Sequence, residues 1–255
     1  MKDQFLTNLQ YPMNSSFIIF NTTTSKLVYI TSVFIFSWIM VDVPSYAQTR
    51  IGIQAGVNFA NVTSKDEDAT EQMTRSMPGI RIGLTADIPV IESFYIQPGI
   101  FYSKKGFKQS SGGYYGLANN FEVKVSYVEL PINFLYKPKL SGGRLLLGAG
   151  PYIGYGTDGT WKSDNVILIG DIMTDNKGKT VFKDDFMDGE FGNYLYGRPW
   201  DYGLNFLAGF EFHGNFSAQL NFQTGLANLQ PKIGGEKREG SLHNKGLGFT
   251  VGYKF

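Results

Sequence analysis

Two histidines, His213 and His243, are the side chains in this sequence best suited to act as general bases near neutral pH. His243 lies close to Ser241 and Asn244, so a serine nucleophile with a neighbouring base is one arrangement to weigh. Such a pair also needs a third group that orients the imidazole, and the spacing of the nearby residues supplies none. We therefore expect no catalytic residue and no enzyme. A small barrel enzyme acting on lipid or peptide through His243 is the least favoured alternative.

Carboxylates are concentrated in one long connection, where Asp184, Asp185, Asp188 and Glu190 lie close together. Oxygen-rich loops of this kind can hold calcium, but the spacing does not match an EF-hand. The glycines of Gly148–Gly154 lack the spacing of a phosphate-binding loop and fall within an alternating segment. These patterns predict no metal site and no cofactor, with weak divalent-ion binding by the acidic segment as the alternative.

The composition excludes several classes of protein. The 255 residues include no cysteine, which excludes disulfides and thiolate metal sites, and the net charge of +1 gives no reason to expect nucleic acid as a partner. Aromatic residues make up 15% and charged residues 18%, whereas about 25% of residues are charged in a soluble domain. None of the 31 glycines precedes Gly52, so a boundary lies shortly before that residue.

An N-terminal lead and signal peptide is predicted at residues 1–47, followed by one domain at residues 48–255. Lys26 precedes a mostly apolar run from Leu27 to Val43, and Ser45–Ala47 has the small-x-small pattern of a cleavage site. The alternative is a permanent membrane helix, since the apolar run is near the lower length limit for crossing a bilayer. We expect cleavage after Ala47, and the true start codon is left open.

The rest of the chain is dominated by segments in which apolar residues alternate with glycine or polar residues. The segment Leu247–Phe255 places bulky apolar side chains at every odd position and small or polar residues at every even one. Such alternation is typical of a strand with one apolar and one polar face. Eight strands are predicted, at about Ile51–Phe59, Ile80–Ile88, Phe94–Lys104, Phe121–Tyr136, Leu145–Gly156, Asp201–Phe212, Phe216–Leu226 and Leu247–Phe255.

The predicted connections alternate in length. Long loops are expected at Asn61–Gly79, Lys105–Asn120, Thr157–Trp200 and Ala227–Gly246, and short ones at Pro89–Ser93, Lys137–Arg144 and His213–Asn215. This alternation is typical of outer-membrane barrels, whose short turns are periplasmic. The fold predicted is all-β, an eight-stranded antiparallel up-and-down transmembrane barrel in the outer membrane. Its long loops are expected to be extracellular and both mature termini periplasmic. A parity change at Tyr127–Val128 predicts a β-bulge in the fourth strand.

The apolar face of these strands is expected to touch lipid. In a soluble barrel it would point inward and leave an outer surface of glycine and amides, which is a weak solvent surface. With the apolar face outward, small and polar residues fill a narrow lumen. Aromatic girdles are then expected at the strand ends, formed by Phe59, Tyr102, Tyr136, Tyr155, Tyr202, Phe212, Phe216 and Tyr253.

Charged residues on the polar face predict a lumen closed by paired ions rather than an open pore, because a buried charge without a partner is very unfavourable. The predicted network contains Arg81, Asp87, Glu122, Glu129, Asp201, Glu211 and Lys254, with Lys124 as a further candidate. Aromatic residues in the predicted external loops are candidates for a binding surface. They are Tyr114, Tyr115, Trp161, Tyr194 and Trp200. The alternative is that these rings pack on one another and close the barrel mouth.

Six segments carry a resemblance to a known family. They are Ile51–Asn58, Phe94–Gly106, Tyr127–Asn133, Leu146–Tyr152, Asp201–Gly209 and Gly248–Phe255, of which YVELPIN at Tyr127–Asn133 is the most specific. With them the chain resembles the small outer-membrane β-barrel proteins of Bacteroidota, labelled PorT-like or porin-family. The resemblance spans Thr49 to Phe255 and implies an eight-stranded barrel in the outer membrane. The terminal Phe255 is similar to the assembly signal that the barrel-assembly machinery reads.

The preferred function is a non-enzymatic outer-membrane barrel with a structural or surface-binding role through its external loops. A second hypothesis comes from the resemblance, since one branch of that family assists the type IX protein secretion system. The expected partners are outer-membrane lipid and, during biogenesis, the barrel-assembly machinery. Neither a specific protein nor a glycan partner is predicted.

Overall fold

A computed structural model describes residues 48–112, 118–169, 172–190 and 194–255. The predicted lead and signal peptide therefore lie outside the described residues. The strands in chain order are β1 (Arg50–Lys65), β2 (Glu71–Gln72), β3 (Thr74–Ile91), β4 (Phe94–Gly112), β5 (Ala118–Tyr136), β6 (Lys139–Leu140), β7 (Gly143–Lys162), β8 (Ile167–Ile169), β9 (Ile172–Thr174), β10 (Lys177–Phe182), β11 (Tyr194–Gly197), β12 (Trp200–Phe212), β13 (Phe216–Gly225) and β14 (Ser241–Lys254). A 3-10 turn, Phe186–Asp188, precedes β11. The part of the chain that the structure describes has no helix long and apolar enough to cross a membrane.

Eight long strands form a closed antiparallel ring, which confirms the predicted barrel and its strand count. Each strand pairs with the next one in the ring, and β1 closes the ring by pairing with β14. At that closure Ile53 lies opposite Tyr253, and Phe59 lies opposite Leu247. Closure pairs both sides of each strand in the described ring, which is the condition for placing strands in hydrocarbon.

The apolar face points outward, as predicted. On every strand of the ring a large apolar side chain is exposed, for example Ile53, Leu84, Ile100, Ile132, Ile153, Phe206, Leu220 and Phe249. The alternating inward positions are small or polar, and Gln54, Thr85 and Asn205 are all buried. The predicted girdle aromatics are also exposed, and some are paired: the rings of Phe216 and Tyr253 lie 5.0 Å apart. We call this exposed apolar zone the lipid belt.

The two ends of the barrel differ. Three tight turns and both ends of the described chain lie at one end, which we call the short-turn end. Ser93, Gly142, Gly214 and Asn215 in these turns have positive φ, the backbone conformation that tight turns between strands require. The other end, the long-loop end, carries the short strands β2 and β8 to β11 together with the segment before β14.

At the long-loop end the strands continue well beyond the lipid belt. The observed long loops are therefore shorter than the sequence predicted. Strand β1 reaches Lys65, β4 reaches Gly112 and β7 reaches Lys162. In this extension the pattern inverts, because inward positions such as Phe121 and Val123 are apolar while outward positions such as Lys124 are polar. The predicted strands end where the outward apolar residues end. The observed strands continue farther, because backbone hydrogen bonds between strands do not depend on contact with lipid.

The same inversion corrects the predicted β-bulge. Odd-numbered residues of β5 point inward on both sides of Tyr127, so the apolar parity changes without a slip in that strand. The register shift is real but belongs to the partner strand: Ser126 lies opposite Asp158 and Tyr127 opposite Gly156, which leaves Thr157 as the extra residue in β7. The bulge therefore lies at the predicted height but on the neighbouring strand.

Candidate functional site

Charged side chains close the lumen near the short-turn end. Lys137 Nζ lies 2.7 Å from an Asp87 oxygen and 2.6 Å from a Glu211 oxygen. Lys254 pairs with the same two carboxylates, and Arg50 reaches Glu211 at 2.9 Å. We call these five residues the lower ion cluster. Lys137 was not predicted, since it was assigned to a short turn, yet it continues the inward parity of β5 after Leu135.

A mixed layer of amides and leucines lies above the lower ion cluster. Asn205 Nδ2 donates to Asn133 Oδ1 at 2.8 Å, and Gln97 Nε2 donates to an Asp87 oxygen at 2.7 Å. Beside these amides, three buried leucines pack together, namely Leu135, Leu146 and Leu207. The barrel interior is thus filled with side chains at this height, as expected for a small barrel.

A second group of ions, the upper ion cluster, closes the lumen about halfway along the barrel. Lys105 Nζ lies 2.6 Å from Glu129 Oε1 and 3.1 Å from Asp201, and Arg81 pairs with the other Glu129 oxygen, Oε2. Tyr152 donates its hydroxyl to Asp201 at 3.2 Å. Lys105 was assigned to a loop, although its position continues the inward parity of Phe101 and Ser103 on β4. The charges balance, so the carboxylates and cations satisfy one another inside the wall.

Glu122 does not join these clusters, which corrects the prediction that it lies in the lumen. It belongs to the even-numbered, outward positions of β5, beyond the lipid belt, and so does Lys124. Its carboxylate contacts Lys124 at 2.8 Å, Lys108 at 2.9 Å and Lys162 at 3.6 Å. Desolvation raises the pKa of Glu122, but hydrogen bonds and attraction from Lys124 and Lys108 outweigh it and lower the pKa to about 2.

The inverted extension encloses a cavity of about 460 Å³ at the long-loop end, which we call the cup. Its walls are mainly apolar and aromatic, formed by Val62, Phe107, Phe121, Val123, Tyr127, Phe182, Tyr194, Leu195, Tyr196, Leu229, Ile233 and Leu242. Polar groups converge on it at Thr180, Arg198, Gln230 and Arg238. Thr180 Oγ1 and Gln230 Oε1 are buried and have no hydrogen-bond partner among the described residues. A largely apolar cavity with a few converging polar groups is the usual form of a small-molecule site.

The floor of the cup is the upper ion cluster. Tyr127 lines the cup, and its ring faces Lys105, whose Nζ lies 5.2 Å from the ring centroid. Asn244 also lines the cup and donates to an Asp201 oxygen at 2.8 Å. Beside the cluster there is a void of only about 20 Å³, which is room for a single water. The cup is therefore a dead-end cavity in the described part of the chain.

Strands β10 and β11 and the segment before β14 form the side of the cup. The rings of Phe182 and Tyr127 lie 5.8 Å apart, edge to face, and Phe182 fits against Gly156, where any side chain would collide with its ring. Arg198 N donates to Leu229 O at 2.9 Å, which joins β11 to the last long connection. The cup is thus built from residues far apart in the sequence.

Asp185 fastens the 3-10 turn to the glycines of the last connection. Its carboxylate accepts from Met187 N at 2.9 Å and from Gly234 N at 3.0 Å, and also from Gly235 N. These backbone hydrogen bonds, the one from Met187 first, lower the pKa of Asp185 below its ordinary value of 3.8. The acidic segment thus has a structural use as a clamp beside the cup. Among the described residues, no group of three or more carboxylates or histidines is arranged to hold a metal ion.

The predicted loop aromatics lie in different environments. Tyr114 and Tyr115 lie outside the described residues. Trp161 is a strand residue of β7 rather than an exposed loop residue, and it is buried against Phe121, with ring centroids 5.9 Å apart. Tyr194 lines the cup.

Trp200 is the last of the predicted loop aromatics, and it too lies on a strand. It begins β12 on the outer face, where its ring contacts Tyr155 at a centroid distance of 4.9 Å. The two histidines also lie apart from each other: His213 is in a tight turn, and His243 lies opposite Thr63 on β14 at the other end of the barrel.

Comparison with known proteins adds a family and a set of similar folds. The sequence model described as outer membrane protein beta-barrel domain matches residues 46–230. No curated protein sequence matches the chain. Among solved structures, the attachment invasion locus protein Ail of Yersinia pestis is 11% identical, with 82% of this chain and 99% of that chain covered and a TM-score of 0.40. A major outer membrane protein of Thermus thermophilus is 11% identical, with 81% and 99% covered and a TM-score of 0.42.

Proposed function

This chain belongs to the outer membrane protein β-barrel domain family and lies in the outer membrane, and from that premise we propose that it is a non-enzymatic binding protein with a sealed lumen. The cup carries this proposal, because it combines an apolar wall with a floor of paired ions. A ligand can enter and leave at the long-loop end, whereas the two ion clusters oppose passage through the barrel. The long loops face the cell exterior, as the strand asymmetry of such barrels favours.

The ligand proposed for the cup is a small molecule with an apolar, ring-containing body and one polar or anionic end. The volume of about 460 Å³ suits a small ligand rather than a polypeptide segment. Aromatic walls such as Phe182 and Tyr196 favour the apolar body. Arg198 and Arg238, together with the unpartnered Thr180 hydroxyl, supply polar contacts for the other end.

Binding is tested with a water-soluble aromatic acid, 2-naphthoate, titrated into the full mature chain in lipid nanodiscs. We expect one saturable site in the wild type. Val125→Trp, which fills the cup, should weaken binding at least tenfold, whereas the outward-facing Val128→Trp should bind like the wild type. Equal binding by both variants, or none by the wild type, would contradict the proposal. In planar bilayers the wild type should also show no regular conductance steps.

A role in type IX secretion is the other candidate that the family resemblance offers. The segment that carries the resemblance most specifically, Tyr127–Asn133, makes contacts inside the barrel that involve no partner protein. Glu129 pairs with Lys105, Tyr127 lies at the floor of the cup, and Asn133 accepts a hydrogen bond from Asn205. The binding role therefore accounts for this segment without a secretion partner. Unchanged export of surface proteins in a deletion strain is the outcome expected from the binding role.

A further inference from the structure

The outer face of the barrel extension carries an unusual row of cations. Directly opposed residues run across five strands in the order Arg75, Lys108, Glu122, Lys162 and Lys177. Only the central member of the row is acidic. The next row toward the lipid belt adds two more outward lysines, Lys124 and Lys179, on either side of Thr160. These two rows together contain six cations and one carboxylate.

Two of the opposed pairs in this row place like charges directly opposite each other. Arg75 lies opposite Lys108, and Lys162 lies opposite Lys177. Like charges directly opposed across strands destabilise a sheet. Glu122 offsets part of this repulsion, but its carboxylate is already shared by Lys108, Lys124 and Lys162. A bound anion would relieve the remaining repulsion.

The lysines are arranged to receive such an anion. Glu122 is almost fully covered, whereas the side chains of Lys108, Lys124 and Lys162 are 52%, 60% and 62% exposed. Each ammonium group has three donors, so each keeps donors free after contacting Glu122. An open groove of about 380 Å³ lies among Lys124, Lys162 and Lys177 on this face.

The row that contains Lys124 and Lys179 lies just above the headgroup layer of a membrane. On β5 the belt ends at Val128, four residues from Lys124, which is about 13 Å along the strand and about 9 Å in height for a strand tilted by about 45°. The headgroup layer adds roughly 5–7 Å to each side of the hydrocarbon. The Lys124 side chain, pointing back toward the belt, therefore reaches that layer. Lys108 and Lys162 lie two residues farther along the strands, about 5 Å higher.

We infer that this lysine face binds the phosphate groups of a glycolipid in the leaflet at the long-loop end, with lipid A phosphates as the chemistry it fits. Clusters of basic residues next to a bilayer attract anionic headgroups, and the row supplies several ammonium groups at one height. Glu122 acts as a positioning residue that holds three lysines together. The assignment of the leaflet rests on the proposed orientation, which protease access to the long loops in whole cells tests separately.

Binding is measured by native mass spectrometry of the full mature chain in detergent, with lipid A or with lipid A from which both phosphates have been removed. We expect the wild type to bind the phosphorylated lipid at least tenfold more tightly. The variant K108Q/K124Q/K162Q should lose this preference. The matched control K65Q/K237Q/K245Q changes the net charge equally at other places and should keep it.

Two further measurements separate lipid binding from unfolding and from binding of free phosphate. Because the triple variant leaves Glu122 without its partners, K108Q/E122Q/K124Q/K162Q is tested as well, and heat-modifiable migration on gels reports folding of each protein. Inorganic phosphate at millimolar concentration should not displace the lipid. Equal binding of the two lipids by the wild type, an equal loss in the control, or displacement by inorganic phosphate would overturn the inference. Binding of 2-naphthoate in the cup should be the same in all of these variants.

Discussion

Lys105 and Asp201 are 96 positions apart in the chain, yet their charged groups meet across the lumen with 3.1 Å between Lys105 Nζ and an Asp201 oxygen. The same ammonium group lies 2.6 Å from Glu129. One lysine thus holds two buried carboxylates and forms the centre of the upper ion cluster. Stability, closure of the lumen and the floor of the cup all depend on this contact.

Lys105→Met should strongly destabilise the barrel, because it leaves two buried carboxylates short of a cation. Removing one partner of a buried ion pair typically lowers the free energy of unfolding by about 3–5 kcal/mol. The measurement is urea unfolding in detergent micelles, followed by tryptophan fluorescence. Lys104→Met is the control, since its side chain is the exposed neighbour on the same strand and should change stability by less than about 0.5 kcal/mol. A similar loss in both variants would show that the ion cluster is not the cause.

A charge in the lipid belt should impair the barrel according to its depth. Phe249→Lys places an ammonium group on the outer face near the middle of β14, where a basic residue costs about 2–4 kcal/mol. His243→Lys, on the same strand but beyond the belt, should cost at most about 1 kcal/mol. The measurement is the fraction of folded, heat-modifiable protein after refolding into liposomes. Equal folding of both variants would argue against lipid at Phe249.

Trp161→Ala should loosen the barrel extension more than the membrane-spanning part. The ring is 2% exposed and packs with Phe121 and Val123, so its removal should cost about 3–5 kcal/mol. We expect proteolytic cleavage within the extension and weaker ligand binding in the cup. Trp200→Ala removes an outward ring of the same type and should leave cup binding unchanged. Loss of binding in the Trp200 variant alone would reverse this assignment.

Acidification should release the Asp185 clamp. The pKa of Asp185 is lowered in the folded protein, so its stabilising contribution is complete above its ordinary value of 3.8 and is lost as the pH falls through the lower folded value. Amide hydrogen exchange at Gly234 and Gly235 should therefore remain slow at pH 5 and become fast, after correction for intrinsic rates, once the pH is lowered well below 3.8. In Asp185→Ala, which removes both acceptor oxygens, the two glycine amides should exchange fast at both pH values. Protection that persists at low pH would mean that the carboxylate is not the clamp.

Alternation along the chain was sufficient to predict the lipid belt, the strand count and the outward direction of residues such as Ile53 and Phe249. The physical reason is local: hydrocarbon contacts one face of every strand, and successive side chains point to opposite faces. Wherever lipid contact imposes that two-residue period, a single strand shows its own orientation. The same local rule failed for Glu122 and Trp161, because the apolar side changes from outside to inside where the strands leave the membrane.

Tertiary structure decided which charged residues meet and where a cavity remains. Strand parity alone is consistent with Lys105 and Lys137 pointing inward, but their partners depend on the register and closure of the whole ring. The cup depends on contacts between β10, β11 and the segment before β14, none of which is signalled by a repeating pattern. The row from Arg75 to Lys177 likewise arises only when five strands are placed side by side. The sequence of each strand alone shows which face contacts lipid, whereas pairing between distant side chains is decided only when the barrel closes.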